Sequence, residues 1–173
     1  YLCTMVKGES LFESKAKELS TIAKVRISDC DPIGHLNNIQ YLKYMQDARE
    51  DHIEELLGYT FEDYMKKTGC TWVTIKNEIA YLKEVRTNTK VKISSKSIVI
   101  TDKIDTIEML MTSEDGSDIH AVLWVSVIYF NMKTRRGETQ PQDLKEIFFT
   151  NFEALEQKTF NERVDYLRSL NKK

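Results

Sequence analysis

The 173 residues carry 25 Lys plus Arg against 27 Asp plus Glu, a formal net charge of -2, with 41% hydrophobic residues, 2 prolines and 6 glycines. That length suits about one domain with a real core, and the balanced charge offers no basic field, so no nucleic-acid partner is expected. Three cysteines, Cys3, Cys30 and Cys70, form no C-x-x-C pair and are odd in number, which argues against a disulfide framework or a zinc site and for a reducing, cytoplasmic compartment.

Residues 1–17 read as an N-terminal extension, in which Tyr1 to Thr4, ahead of Met5, are expected to be non-native. The opening lacks the basic-then-apolar order of a signal peptide. No apolar run anywhere reaches the ~18 residues of a membrane span, so no spanning segment is expected.

Residues 18–28, ELSTIAKVRIS, alternate loosely and predict a first strand. A crowded polar segment follows, and from Asn38 the apolar positions Tyr41, Leu42, Met45, Ala48, His52, Ile53 and Leu56 recur at steps of three and four. That spacing predicts one helix of roughly 20 residues, about 30 Å long, capped by Asn37 or Asn38 and stopped at Gly58.

After a short helical or loop stretch, FEDYMKKTGC, the period changes to two. Trp72–Glu84, Lys90–Thr101, Lys103–Ser113 and Ile119–Thr134 are predicted strands. Val73, Ile75, Ile79 and Tyr81 are expected on one face of the first, and Val91, Ile93 and Val99 opposite Ile98 and Ile100 in the next. Arg86–Thr89, Thr101–Lys103 and Glu114–Ser117 are the turns between them, the last with a strong Asp-Gly hairpin signal. Such short links predict antiparallel neighbours or near neighbours.

The last strand, AVLWVSVIYF, is apolar on both faces and therefore expected to be central. The long helix covers one face; a second subunit or the C-terminal segment must cover the other. From Asp143 to Leu170 the chain again shows helical spacing, and 137–173 is expected to form a helical extension. Together these elements predict an α+β protein with an antiparallel sheet around one long helix.

The segment ahead of that helix, "SDCDPIGHLNNIQY", carries more polar, turn-forming residues than a turn requires. Pro32 restricts Asp31 to extended backbone, and Gly34 supplies the freedom to turn back. The unpaired N–H groups of the first helical turn then face the Asp31 carboxylate. Either Asp31 is one more cap, or those donors form an oxyanion hole beside a reacting carboxylate. One helix needs one cap, whereas Asp29, Asp31, Asn37 and Asn38 offer four.

The run D-x-D-P-x-G-H-x-N-N-x-x-Y-x-x-Y, here Asp29, Asp31, Pro32, Gly34, His35, Asn37, Asn38, Tyr41 and Tyr44, resembles the hotdog-fold acyl-thioesterases of the 4-hydroxybenzoyl-CoA thioesterase-like and acyl-CoA thioester hydrolase group. The resemblance covers roughly residues 18–135 and implies a hotdog domain over 18–136. It implies Asp31 as general base or nucleophile, a backbone N–H near Asn38 polarising the thioester carbonyl, and His35 and Asn38 positioning substrate or water. Gly34, Asn37 and Tyr41 would then border the substrate, with Trp72, Thr74 and Trp124 along an acyl or pantetheine channel. The implied substrate is acyl-CoA or an acyl carrier protein thioester, with coenzyme A entering as part of the substrate and no other cofactor or metal. The implied assembly is a homodimer, or a dimer of dimers, with its site at the subunit interface.

A thioester suits so sparse a site, because its thiol leaving group, with a pKa near ~8.5, departs without strong acid assistance. No G-x-S-x-G elbow, Gly-rich phosphate loop or H-E-x-x-H pair is present. Lys90 and Lys92, with Lys83, Arg86 and Lys96, are candidates for the CoA phosphates or an acidic carrier surface, set against a solvated strand edge. A binding module that keeps the fold without turnover is the rival class.

Overall fold

The computed structural model describes residues 18–171; the N-terminal extension predicted over 1–17, with Cys3, lies outside the described residues. Six strands and four helices follow in the order β1 (Leu19–Lys24), α1 (Asn38–Leu57), α2 (Phe61–Thr68), β2 (Cys70–Tyr81), β3 (Lys90–Ile100), β4 (Ile104–Ser113), β5 (Ile119–Asn131), β6 (Arg136–Gly137), α3 (Gln142–Phe149) and α4 (Phe160–Leu170). The fold is α+β: one antiparallel sheet in the order β1-β3-β4-β5-β2 wraps the 20-residue helix α1, and β6 pairs with the end of β5.

The helix α1 forms where its apolar period predicts, burying Tyr41, Met45, Ala48, His52, Ile53 and Leu57 against the sheet. Asn37 is its cap, its side-chain oxygen accepting from the Ile39 N–H at 3.1 Å. Gly58 closes it in the left-handed conformation, with φ at 75°, where an L side chain would be strained. The first strand is shorter than predicted: it ends at Lys24, and a 3-10 turn over Ile27–Asp29 follows, because Asp29 turns back to receive the Asn37 N–H on its carbonyl at 3.0 Å.

Two strands depart from simple alternation. In β2 the register slips between Thr74 and Lys76, so Trp72 and Thr74 share the concave face with Ile79 and Tyr81, whereas Val73 points outward. In β3 the slip between Ser97 and Val99 puts Ile100 on the concave face with Val91 and Ile93, and Val99 on the outer one. Each bulge inserts one residue and inverts the faces beyond it, which corrects the face assignments predicted for both strands.

The link over 82–89 is not a hairpin. Its two strands are not neighbours, β2 ending the sheet order and β3 standing beyond β5 and β4, so the chain crosses the end of the sheet where α1 begins. There Leu36 donates to the Val85 carbonyl at 2.8 Å, Thr87 donates to the Gly34 carbonyl at 3.1 Å, and Val85 donates to the Tyr41 hydroxyl at 3.2 Å.

Both faces of β5 are covered from within the chain. The concave face meets α1; the outer face carries Val122 and Trp124 beneath Phe160, Val164 and Leu167 of α4. β1 begins opposite Ser95, and farther along β3 the segment 151–153 hydrogen-bonds to Ser97, carrying the chain from one face to the other. Glu108, fully buried, fixes α4 by accepting Arg163 Nε and Nη2, each at 2.7 Å, and Trp124 Nε1 at 3.0 Å. The C-terminal segment thus covers what a second subunit was also expected to cover.

Candidate active site

The polar surplus ahead of α1 resolves into separate tasks. Asp29 accepts the Tyr44 hydroxyl at 2.6 Å and ties the loop to the second turn of α1. Asn37 caps the helix, and Gly34 sits at φ 81°, a left-handed turn with open space where a Cβ would be. Asp31 Oδ1 accepts two backbone N–H groups, from Ile33 at 3.0 Å and His35 at 2.9 Å. Its second oxygen, Oδ2, takes no hydrogen bond among the described residues.

The first turn of α1 sorts its donors in the same way. Ile39 N–H is taken by the Asn37 side chain, and Gln40 N–H by the Asn37 carbonyl at 2.8 Å. Asn38 N–H has no acceptor among the described residues. Asp31, His35, Asn38 and Tyr41 line one cleft of about 280 Å3 with Tyr81, Lys83 and Glu84. A half-buried carboxylate with a free oxygen and an unspent amide at a helix N-terminus therefore share one space, the arrangement needed to polarise a carbonyl and attack it.

The crossing link and the end of β2 add Glu84 and Tyr81, which the sequence did not assign to a site, and Lys83, which it offered for phosphate. His35 Nε2 lies 3.5 Å from Glu84 Oε1, and Lys83 pairs with Asp118 at 2.6 Å. Tyr81 donates to the Asn38 carbonyl at 3.0 Å and stands edge-on to Tyr41, ring centres 5.1 Å apart. Tyr41 is buried, and burial pushes its phenol up while the Val85 amide works the other way. Its bond to Val85 makes it a strut of the cleft. The signal for Glu84 was its place beside Lys83, next to a link read as a turn.

Trp72 and Thr74 lie elsewhere, in the wall of an apolar cavity of about 310 Å3 between α1, the concave sheet face and Phe148 of α3. Trp124 is on the opposite face under α4, a consequence of its even position on β5. Lys90 and Lys92 also point to the outer face, paired with Glu114 and Glu18. The structure thus gathers Asp31, His35, Asn38 and Tyr41, sets Gly34 and Asn37 as the loop's frame, and does not bring Lys90 or Lys92 to them.

Known proteins resemble this chain in sequence and in fold. The profile of the Thioesterase-like superfamily matches residues 25–148. The chain is 22% identical to the long-chain acyl-CoA thioesterase FadM of Escherichia coli over 128 residues, 74% of this chain and 95% of that protein. It superposes on the hypothetical protein SAV2348 of Staphylococcus aureus, solved in complex with CoA, with a TM-score of 0.73 and 16% identity, covering 82% of this chain and 90% of that one. It also superposes on a structure assigned as an oleoyl thioesterase of Lactobacillus plantarum, with a TM-score of 0.71 and 19% identity over 83% of this chain; it spans 54% of that longer protein.

Proposed function

Because the chain belongs to the Thioesterase-like superfamily, we propose that it hydrolyses acyl-CoA thioesters to a free acid and a thiol, with the Asp31 carboxylate doing the chemistry. The observation that carries this reading is the shared cleft of Asp31 and the Asn38 N–H, one with a free oxygen and the other without an acceptor. The thioester carbonyl oxygen accepts from Asn38 N–H, where the α1 dipole favours the charge that develops on it. Asp31 Oδ2 takes a proton from an attacking water, or attacks the carbonyl carbon itself and is released by water in a second step. In both routes the C–S bond breaks, the thiolate leaves and takes up a proton, and one water is consumed.

His35, held over Glu84, orients the water or the thioester oxygen, and the cavity lined by Trp72 and Thr74 receives the acyl group. Coenzyme A and an acyl carrier protein are alternative carriers of the same thioester. The resemblance also implies an assembly of two copies, for which the free edge of β2 is suited: β2 ends the sheet order and exposes Val73 and Ile75.

A non-catalytic binding module is favoured by one observation, the use of Asp31 Oδ1 as an acceptor for two loop amides, which a binder would also retain. Wild-type protein assayed on short, medium, long and aromatic acyl-CoAs and acyl carrier protein thioesters separates the two. Thiol release on at least one acyl class supports hydrolysis; none on any of them leaves the binding module.

A further inference from the structure

In the cavity beside Trp72 and Thr74 the apolar wall contains a cation without a direct ion pair among the described residues, with Asp105 in the same lining. Arg49 projects from α1 into a space lined by Phe61, Ile107 and Phe148. Burial pushes its guanidinium down to about 10, with Asp105 acting in the opposite direction. Asp105 does not pair with it: both carboxylate oxygens accept Gln140 Nε2 at 2.9 Å, and one accepts the Thr101 N–H at 3.3 Å. A guanidinium carries five N–H donors, yet among the described residues Arg49 makes a single hydrogen bond, Nη1 to Ser95 Oγ at 3.4 Å.

A second donor in the same wall is also unspent: Trp72 Nε1–H is buried with no acceptor. Buried donors are nearly always paired, so the unpaired Trp72 N–H, beside a half-buried Arg49 with donors to spare in the same cavity wall, marks the place of a ligand oxygen. Asn38 and Arg49 are eleven residues apart on α1, roughly 16 Å along its axis at 1.5 Å per residue, so a thioester carbonyl at the first leaves the far end of an extended acyl group near the second.

We propose that this cavity selects acyl groups with an apolar body and an oxygen acceptor, carboxylate or hydroxyl, at the end remote from the thioester, received by the Arg49 guanidinium and the Trp72 indole N–H. The inference rests on the hydrolase reading for the identity of the ligand. The forked donors of Arg49 match a carboxylate bidentately, and a site whose donors go unpaired with a methyl end rejects that end.

The test uses S-(2-oxoalkyl)-CoA thioethers, in which a methylene between sulfur and carbonyl prevents hydrolysis. Pairs of equal chain length end in methyl, hydroxyl or carboxylate and are titrated calorimetrically against the whole protein. Wild type is expected to bind an oxygen-ended analogue at least ~10-fold more tightly than its methyl-ended partner, and Arg49→Met to bring that ratio close to one. A preference shared by hydroxyl and carboxylate assigns hydrogen bonding, and one confined to carboxylate assigns charge; both support the proposal. Equal or tighter binding of the methyl-ended analogue by wild type overturns it, as does an unchanged ratio in Arg49→Met or no binding of any analogue. If Arg49→Met does not fold, the wild-type ratio and Trp72→Phe, which removes the N–H together with part of the ring, decide the matter. Titration needs no turnover, so an absence of hydrolysis overturns the reaction without altering this ratio.

Discussion

In the proposed reaction Asp31 divides its two oxygens between architecture and chemistry. Oδ1 holds the Ile33 and His35 amides and so fixes the loop, leaving Oδ2 without a partner among the described residues. His52, fourteen residues into α1, shows the opposite use of a polar side chain: buried at 2% exposure, it spans Thr21 Oγ1 at 3.1 Å and Ser95 Oγ at 2.7 Å. Burial, and then the neighbouring Arg49, push its imidazole down to about 4, with Asp51 and Glu55 opposing. Its unfolded value is near ~6.5, so below that pH the unfolded chain binds the extra proton. Stability due to neutral His52 is therefore complete above about pH 6.5 and is lost as pH falls through about 4, by at most a few kcal/mol at ~1.4 kcal/mol per unit. Urea midpoints are expected to fall between pH 7 and pH 4.5, with a shallower slope in His52→Gln. An identical slope in the variant would assign the loss to other groups. Asp31, Asn37 and Gly34 were legible in the sequence because proline, glycine and cap chemistry act on immediate neighbours. Arg49 was not, because a charged residue on an amphipathic helix looks like part of the wet face until the sheet curls over it.

At the scale of elements, the helix α1 was legible from end to end, its period and both caps being local properties. The β2 and β3 bulges were not, since an inserted residue leaves no mark on composition and inverts every face beyond it. The link over 82–89 read as a hairpin for a related reason: a short Thr-Asn-rich connection specifies a turn but not which strands it joins. The C-terminal helix α4 depends on the bidentate pair of Arg163 with buried Glu108. Without Arg163, buried Glu108 keeps Lys96, 3.7 Å from Oε1, as its remaining counter-charge among the described residues, and losses on breaking a buried pair run to about 3–5 kcal/mol. Arg163→Met is expected to lower the unfolding free energy by that order, and Glu108→Leu with Arg163→Met to recover much of it. Equal stability of the single variant and wild type in urea titration would mean that α4 is held by its apolar face alone. Asn37→Ala, which removes the α1 cap, is expected to cost about 1 kcal/mol, read from the same titrations.

Over the whole molecule, the ground for expecting an assembly has moved. The doubly apolar β5 no longer calls for a second subunit, because α4 covers its outer face. What remains is the edge of β2, twelve residues long, with Ile75 at 52% exposure and Val73 at 39%. Long exposed edges are templates for pairing with another copy. Light scattering at micromolar concentration is expected to give twice the chain mass, and Ile75→Lys to shift it toward one. A wild-type monomer would place the whole reaction in a single chain. Among the described residues no helix is long and apolar enough to cross a membrane.

The central claim, that the Asp31 carboxylate performs thioester hydrolysis beside the start of α1, is tested most directly by Asp31→Asn. Asparagine keeps an oxygen for the Ile33 and His35 amides, so the loop and the melting temperature stay close to wild type while the charge is lost. The account predicts a fall in kcat of about 10²- to 10⁴-fold on whichever acyl thioester the wild type cleaves best. A folded Asp31→Asn protein with wild-type kcat would contradict it.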